Sequence, residues 1–258
     1  MKSQLVSILL VISIYNIRGL GLGLELGLGL NLCKYNNQIL ASSQQNVDIL
    51  GSAAEYTVLA GSQTTNAGVT TIIGSLGVSP KTDISGTAVI LIGGSFHAAD
   101  ANSLNAQNSL TNGYNLLAGR LNALDMTGTD LVGLTLYPGV YSYTSSAFLT
   151  AGILTLNADG NANAEWVFQI KTTLITSVGA EIRIIGGGSP LNVYWQVGSS
   201  ATISGSTKMI GNIVAYVDIT FGVSATLTGR ALARSGQVTM LSNVLSRVTC
   251  IPFFLFFI

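Results

Sequence analysis

The chain has 258 residues with 11 basic and 11 acidic side chains, so its formal charge cancels and only 9% of positions are charged. With 48% apolar residues and 30 glycines beside abundant Ser and Thr, it can bury a large core under a neutral, hydroxyl-rich surface, which argues against disorder. A chain without a basic field gathers no phosphates, so nucleic acid is disfavoured as a partner. One histidine with Cys33 and Cys250 leaves little from which to build a metal cluster or a Cys/His nucleophile, and no metal or cofactor is expected.

In chain order, Lys2 followed by the apolar run from Leu5 to Ile14 has the arrangement of a secretory signal peptide, placed at residues 1–19, although Tyr15 to Gly19 lacks a clean pair of small residues for cleavage. A single membrane anchor is the alternative, since the Gly/Leu segment that follows could lengthen the apolar stretch. That low-complexity segment and its linker occupy residues 20–50. The C-terminal tail, residues 250–258, is almost entirely apolar, but its run from Ile251 to Ile258, eight residues, reaches only about 12 Å as a helix against roughly 30 Å of hydrocarbon. In an oxidising compartment Cys33 and Cys250 are free to pair, though two cysteines alone do not require it.

Between residues 51 and 249 lies a succession of short β-favouring runs separated by Gly, Asn, Ser and Thr, including Tyr56 to Leu59, Val69 to Ile73, Ile153 to Leu156, Trp166 to Ile170, Val193 to Val197 and Val238 to Leu241. Gly211-Asn212-Ile213-Val214-Ala215 is echoed eighteen residues later by Gly229-Arg230-Ala231-Leu232-Ala233. Three short strands with their turns consume about that many residues, so the repeat predicts the coils of a β-solenoid. One segment breaks the pattern. From about 98 to 124, Leu110, Tyr114, Leu117, Leu121 and Leu124 recur at three- and four-residue intervals and predict one helix, lying along the solenoid over an apolar face. Gly113 and Gly119 weaken such a helix by up to about 1 kcal/mol each relative to Ala, so packing must hold it. His97, at its start, reads as a capping or packing residue rather than a base.

Several of these stretches carry a family resemblance. Gly51 to Ala60, Ile73-Gly74-Ser75-Leu76-Gly77-Val78-Ser79-Pro80 with Ile84-Ser85-Gly86, Leu136 to Tyr141, Trp166 to Ile170, Asn192 to Val197 and the two Gly-x-x-x-Ala repeats, in that order, resemble the secreted microbial ice-binding (antifreeze) proteins. The resemblance implies a mainly β fold: an irregular right-handed β-helix of roughly triangular section with one long α-helix packed alongside. It also implies that coils do not stack in chain order, the N-terminal coil lying between later ones. The expected function is adsorption to an ice crystal surface, giving thermal hysteresis and inhibition of recrystallisation, by a monomer without a small-molecule substrate.

Ice is an uncharged, periodic ligand, so it calls for a stiff, flat face that holds hydration water in a lattice-compatible arrangement. Stacked coils repeat at about 4.8 Å, and small side chains keep the face flat. Carried over from the family, strands that follow a Leu-Ala or Val-Ala motif select Ser62 and Thr64 after Ala60, Val217 after Ala215 and Ser235 after Ala233, with Gly198 and Ser199 after Val197. Tyr216, Asp218 and Arg234 depart from that ideal by bulk or charge. The rival readings are a non-catalytic surface adhesin or polysaccharide-binding solenoid on the same scaffold and, less well supported, a solenoid lyase or hydrolase. Catalysis would need clustered carboxylates with a basic partner, whereas the eleven acids here are scattered and no nucleophile elbow or phosphate loop is present.

Overall fold

The computed structural model describes residues 48–86 and 88–247. The expected signal peptide, the Gly/Leu segment up to residue 47, both cysteines and the apolar tail lie outside the described residues. The first coil runs through β1 (Tyr56–Ala60), β2 (Gln63–Ala67) and β3 (Thr70–Ile73), and the second through β4 (Ser75–Val78), β5 (Asp83–Gly86) and β6 (Val89–Ile92). After β7 (Phe96–Ala98) comes helix α1 (Ala101–Ala118), then β8 (Leu124–Asp125) and β9 (Thr135–Leu136). Two full coils follow: β10 (Gly139–Tyr143), β11 (Ala147–Leu149) and β12 (Ile153–Asn157), then β13 (Trp166–Ile170), β14 (Leu174–Thr176) and β15 (Glu181–Ile185). The last turns are β16 (Val193–Val197), β17 (Ala201–Ile203), β18 (Lys208–Ala215), β19 (Ile219–Phe221), β20 (Thr226–Ala233), β21 (Val238–Leu241) and β22 (Val244–Ser246).

Every pairing between these strands is parallel, as coils stacked in one direction require. One sheet wraps two sides of the solenoid, and β18 and β20 bend across the corner between them at Gly211 and Gly229. Both glycines have positive φ, and a Cβ on Gly229 would sit 2.0 Å from the Gly211 carbonyl oxygen, so the corner admits no side chain. A separate seven-stranded sheet forms the third side, in the order β11, β14, β17, β19, β21, β2, β5. Chain order breaks where β1, β2 and β3 pair with β20, β21 and β22 on one side and with β4, β5 and β6 on the other. The N-terminal coil therefore lies between the last coil and the second.

The core explains the Gly-x-x-x-Ala repeat. Along one inward row, Tyr141, Phe168 and Trp195 stack, with ring centroids 5.3 and 4.0 Å apart, and the same register continues through Ile213, Ala231 and Val58. The next inward row falls from Tyr143, Ile170 and Val197 to Ala215, Ala233 and Ala60. Shrinking side chains narrow the interior towards the last coil, so the alanines of the repeat record packing.

The helix is shorter than its period suggests. Gly119 caps α1, Leu121 is 80% exposed and Leu124 sits in β8, so the apolar face consists of Ala106, Leu110 and Leu117, with Tyr114 half-buried. Those residues pack on Leu59, Leu232 and Val214 in one outward row of β1, β20 and β18, and on Tyr194 and Val167 in the neighbouring outward row of β16 and β13. Consecutive buried residues in these strands follow, because they are covered on both faces. At about 27 Å the helix crosses five or six strands. Its C-terminal carbonyls at Leu117, Ala118 and Arg120 accept from the Gln169 amide. At its start Asp100 accepts from the Ser103 backbone and side chain, and His97 Nδ1 lies 2.6 Å from the Asp100 carboxylate while its ring meets Tyr56 edge-on. Those bonds, the Ser103 N–H first, hold the Asp100 carboxyl down at about 2.

Gly113 has a steric purpose. A Cβ there would come 2.8 Å from the Ile49 carbonyl, so the glycine lets residues 48–55 approach the helix. Packing thus reaches back before the boundary at Gly51 that composition suggests: Leu50 is fully buried, and the buried Arg230 guanidinium donates to the Ala54 carbonyl and Asn212 and pairs with Asp48 at 3.1 Å.

Candidate functional site

Of the three sides, α1 covers one. The second carries Glu181 bonded to both Arg183 and Lys208, a charged cluster beside uncharged outward residues such as Thr155, Ile185, Thr226 and Val244. The third, the seven-stranded sheet, is uncovered and has no charge in its central row.

That row follows from strand alternation. In β17 (Ala201–Ile203) and its neighbours, the residues flanking the middle position point inward and the middle one points out. Cross-strand register places Phe148, Ile175, Thr202, Thr220, Thr239, Thr65 and Ser85 side by side. Six intervals of about 4.8 Å make a ladder of roughly 29 Å, and its four consecutive threonines span about 14 Å. Phe148 and Ile175, 46% and 36% exposed, make one end apolar; the Thr65 hydroxyl donates to Thr239 at 3.1 Å across the junction of first and last coils. β-Branched threonines on a strand have restricted χ1, which aligns methyls and hydroxyls in register.

A polar row flanks the ladder and is fixed by its own bonds. Ser146 and Thr173 hydroxyls lie 2.7 Å apart, the Asp218 N–H donates to Ser200, Asp218 Oδ1 accepts from the Gln237 N–H at 2.8 Å, and the Gln63 amide donates to Gln237 Oε1 at 2.7 Å. These side chains are held before any ligand arrives.

The residues carried over from the family fall beside this ladder. Gly198, Ser199, Val217, Ser235 and Ser62 stack at the corner between the helix-covered side and the seven-stranded sheet, joined by the bonds Val217 N–H to Ser199 carbonyl, Ser235 N–H to Tyr216 carbonyl and Ser62 N–H to Gly236 carbonyl. Glycine is obligatory there at Gly61, Gly198 and Gly236, where a Cβ would meet the adjacent coil's backbone at 2.1–2.6 Å. Thr64 must be corrected: its side chain is 1% exposed and points into the solenoid in the row of Ala201, Ile219, Val238 and Ile84, leaving Thr65 as the outward residue. A shift of one residue exchanges the faces of a strand. The carry-over missed Thr65, Thr202, Thr220 and Thr239, although the Thr-x at the centre of each short run was the available signal.

The three departures are absorbed by the fold. The Arg234 guanidinium stacks on Tyr216 and Tyr114, 4.9 and 5.6 Å from the ring centroids, and donates to the Thr111 hydroxyl, so Arg234 and Tyr216 belong to the helix side. Asp218 is part of the fixed polar row. Among the described residues no cluster of three metal-ligating side chains occurs, and none of their helices is long and apolar enough to cross a membrane.

A family model described as ice-binding-like matches residues 58–246. An ice-binding protein of Nostoc sp. (strain HG1) is 44% identical over 201 residues, covering 78% of this chain and 74% of the relative, and one from Flavobacterium frigoris (strain PS1) is 28% identical, covering 79% of each. A solved ice-binding protein from an Antarctic biological consortium superposes with a TM-score of 0.74 at 42% identity, covering 80% of this chain and 93% of that one.

Proposed function

The chain belongs to the ice-binding-like family, and from that premise we propose that it adsorbs to ice through the seven-stranded sheet, with Thr202, Thr220, Thr239 and Thr65 at the centre of contact. The single observation that carries this reading is their unbroken, in-register row on the uncovered sheet, uncharged along its centre. Alternating methyl and hydroxyl groups on a rigid parallel sheet order water at the strand spacing, and ordered water mediates contact nearly as well as a direct bond at about 0–2 kcal/mol of entropy per molecule. The scaffold sets that order beforehand, which reduces what binding must still arrange.

In this reading the corner residues Ser62, Gly198, Ser199, Val217 and Ser235 border the contact area along one long edge, and Phe148 and Ile175 extend it with apolar surface. The protein acts without catalysis, as a secreted monomer whose partner is the crystal surface. Support for export is the Lys2 and Leu5 to Ile14 pattern. The test is a nanolitre osmometer measurement on purified protein: hysteresis with faceted crystals and arrested recrystallisation are expected. Spherical crystals melting and growing at one temperature would refute the reading.

A further inference from the structure

The ladder is assembled from two pieces of chain. Thr202, Thr220 and Thr239 lie in consecutive coils, whereas Thr65 arrives from a strand 174 residues away, and its register is set by non-covalent pairing alone, that of β1, β2 and β3 with β20, β21 and β22. No short covalent turn prevents a slip there, and a slip of one residue would turn Thr64 outward and Thr65 inward.

Inside the corner that follows this sheet, a buried polar chain crosses the same junction. Asn243, 1% exposed, donates through its amide to the carbonyls of Gly222 and Ala225 in the preceding coil, at 2.8 and 3.0 Å, and accepts from the Leu241 N–H. Its backbone N–H donates to the Thr70 hydroxyl of the first coil at 3.0 Å; that hydroxyl donates to Asn66 Oδ1 at 2.7 Å, and the Asn66 amide reaches the carbonyls of Gly68 and of Ala88 in the second coil. Four successive coils are thereby tied through directional bonds, each pairing one donor with one acceptor, and no apolar contact at this junction would discriminate one register from the next so sharply.

We infer that Asn243, Thr70 and Asn66 are positioning residues of the ice-binding face, a register lock that makes the threonine ladder continuous across the break in chain order. The inference rests on the proposed function of that sheet. Its ligand-facing consequence is that the area matched to ice extends over both pieces of chain only while the lock is intact.

The test compares Thr70→Val with Thr207→Val. Thr207 is equally buried in the corresponding corner of an earlier coil, where its hydroxyl bonds the Ser177 carbonyl and Thr176, but covalent turns already fix the register there. Hysteresis is read on folded protein, with melting temperature and amide hydrogen exchange recorded for each variant. Thr70→Val is expected to lose at least about half of the wild-type hysteresis and its protection in β2 and β21. Thr207→Val is expected to lower the melting temperature by a similar amount and keep its hysteresis. Equal hysteresis in Thr70→Val and wild type, or equal loss in both variants, would overturn the lock. An inactive wild type would instead remove the ice reading itself, and a Thr70→Val chain that fails to fold is replaced by Asn243→Asp, which keeps the side chain's size while removing its two amide donors, and which is judged by the same outcomes.

Discussion

Thr64 and Thr65 are adjacent, identical in chemistry and opposite in placement, so they give opposite expectations. The Thr64 hydroxyl is buried without a hydrogen-bond partner in a row otherwise made of Ala201, Ile219, Val238 and Ile84. An unpaired buried hydroxyl costs about 1–3 kcal/mol, and Val replaces it with a methyl of almost the same volume, so no cavity opens. Thr64→Val should therefore stabilise the protein by about 1 kcal/mol or more, and at this size each kcal/mol raises the melting temperature by about 2–4 °C. Hysteresis should not change, because the side chain never meets solvent. Thr65→Tyr should leave stability within roughly 0.5 kcal/mol, as surface changes do, yet remove most hysteresis by lifting the crystal off the ladder. Calorimetry and osmometry on the two variants read both quantities. A lower melting temperature for Thr64→Val, or lost hysteresis with it, would refute the inward placement and the reasoning built on strand alternation.

Other consequences follow from the buried groups. Asp48→Ala leaves the buried Arg230 guanidinium without its counter-charge and should cost about 3 kcal/mol, whereas adding Arg230→Met should recover much of it; urea unfolding of the two single variants and the double variant checks the cycle. Acid titration should loosen the start of α1 only between about pH 4 and pH 2, because a carboxyl held below its unfolded value lends stability above the unfolded pKa and loses it as pH falls through the folded one; Asp100→Asn, followed by circular dichroism, should lack that transition. Burial pushes the hydroxyls of Tyr56 and Tyr143 up to about 12, with the Asp100 charge adding to the first and the Asp130 charge to the second. Stability should accordingly be complete below pH 10 and fall as pH rises towards 12, in step with tyrosinate absorbance. A melt that begins well below pH 10 would contradict that burial.

Much of this architecture was legible in the residues, because short runs of β-formers with a repeat of about eighteen admit few folds other than stacked coils. The helix was legible in kind but not in extent: Leu121 and Leu124 keep the helical period past Gly119, and period alone does not register a cap. The Gly-x-x-x-Ala repeat was visible, while its cause, a corner without room for Cβ and a tapering interior, depends on the neighbouring coil. The site was the least legible part. In Ser62-Gln63-Thr64-Thr65 the residue that turns outward depends on how many residues the Gly61 corner consumes, and no local pattern states that number. Arg234 and Tyr216 stand out as departures in a linear reading because the helix they stack on is more than ninety residues away in sequence.

The most direct test of the central claim is the hysteresis of two single tyrosine substitutions on different sides of the solenoid, Thr220→Tyr at the middle of the ladder and Thr228→Tyr on the side bearing Glu181, Arg183 and Lys208. Loss of activity in the first with retention in the second is the predicted result. Activity that survives at Thr220 and disappears at Thr228 would place the crystal on the other sheet.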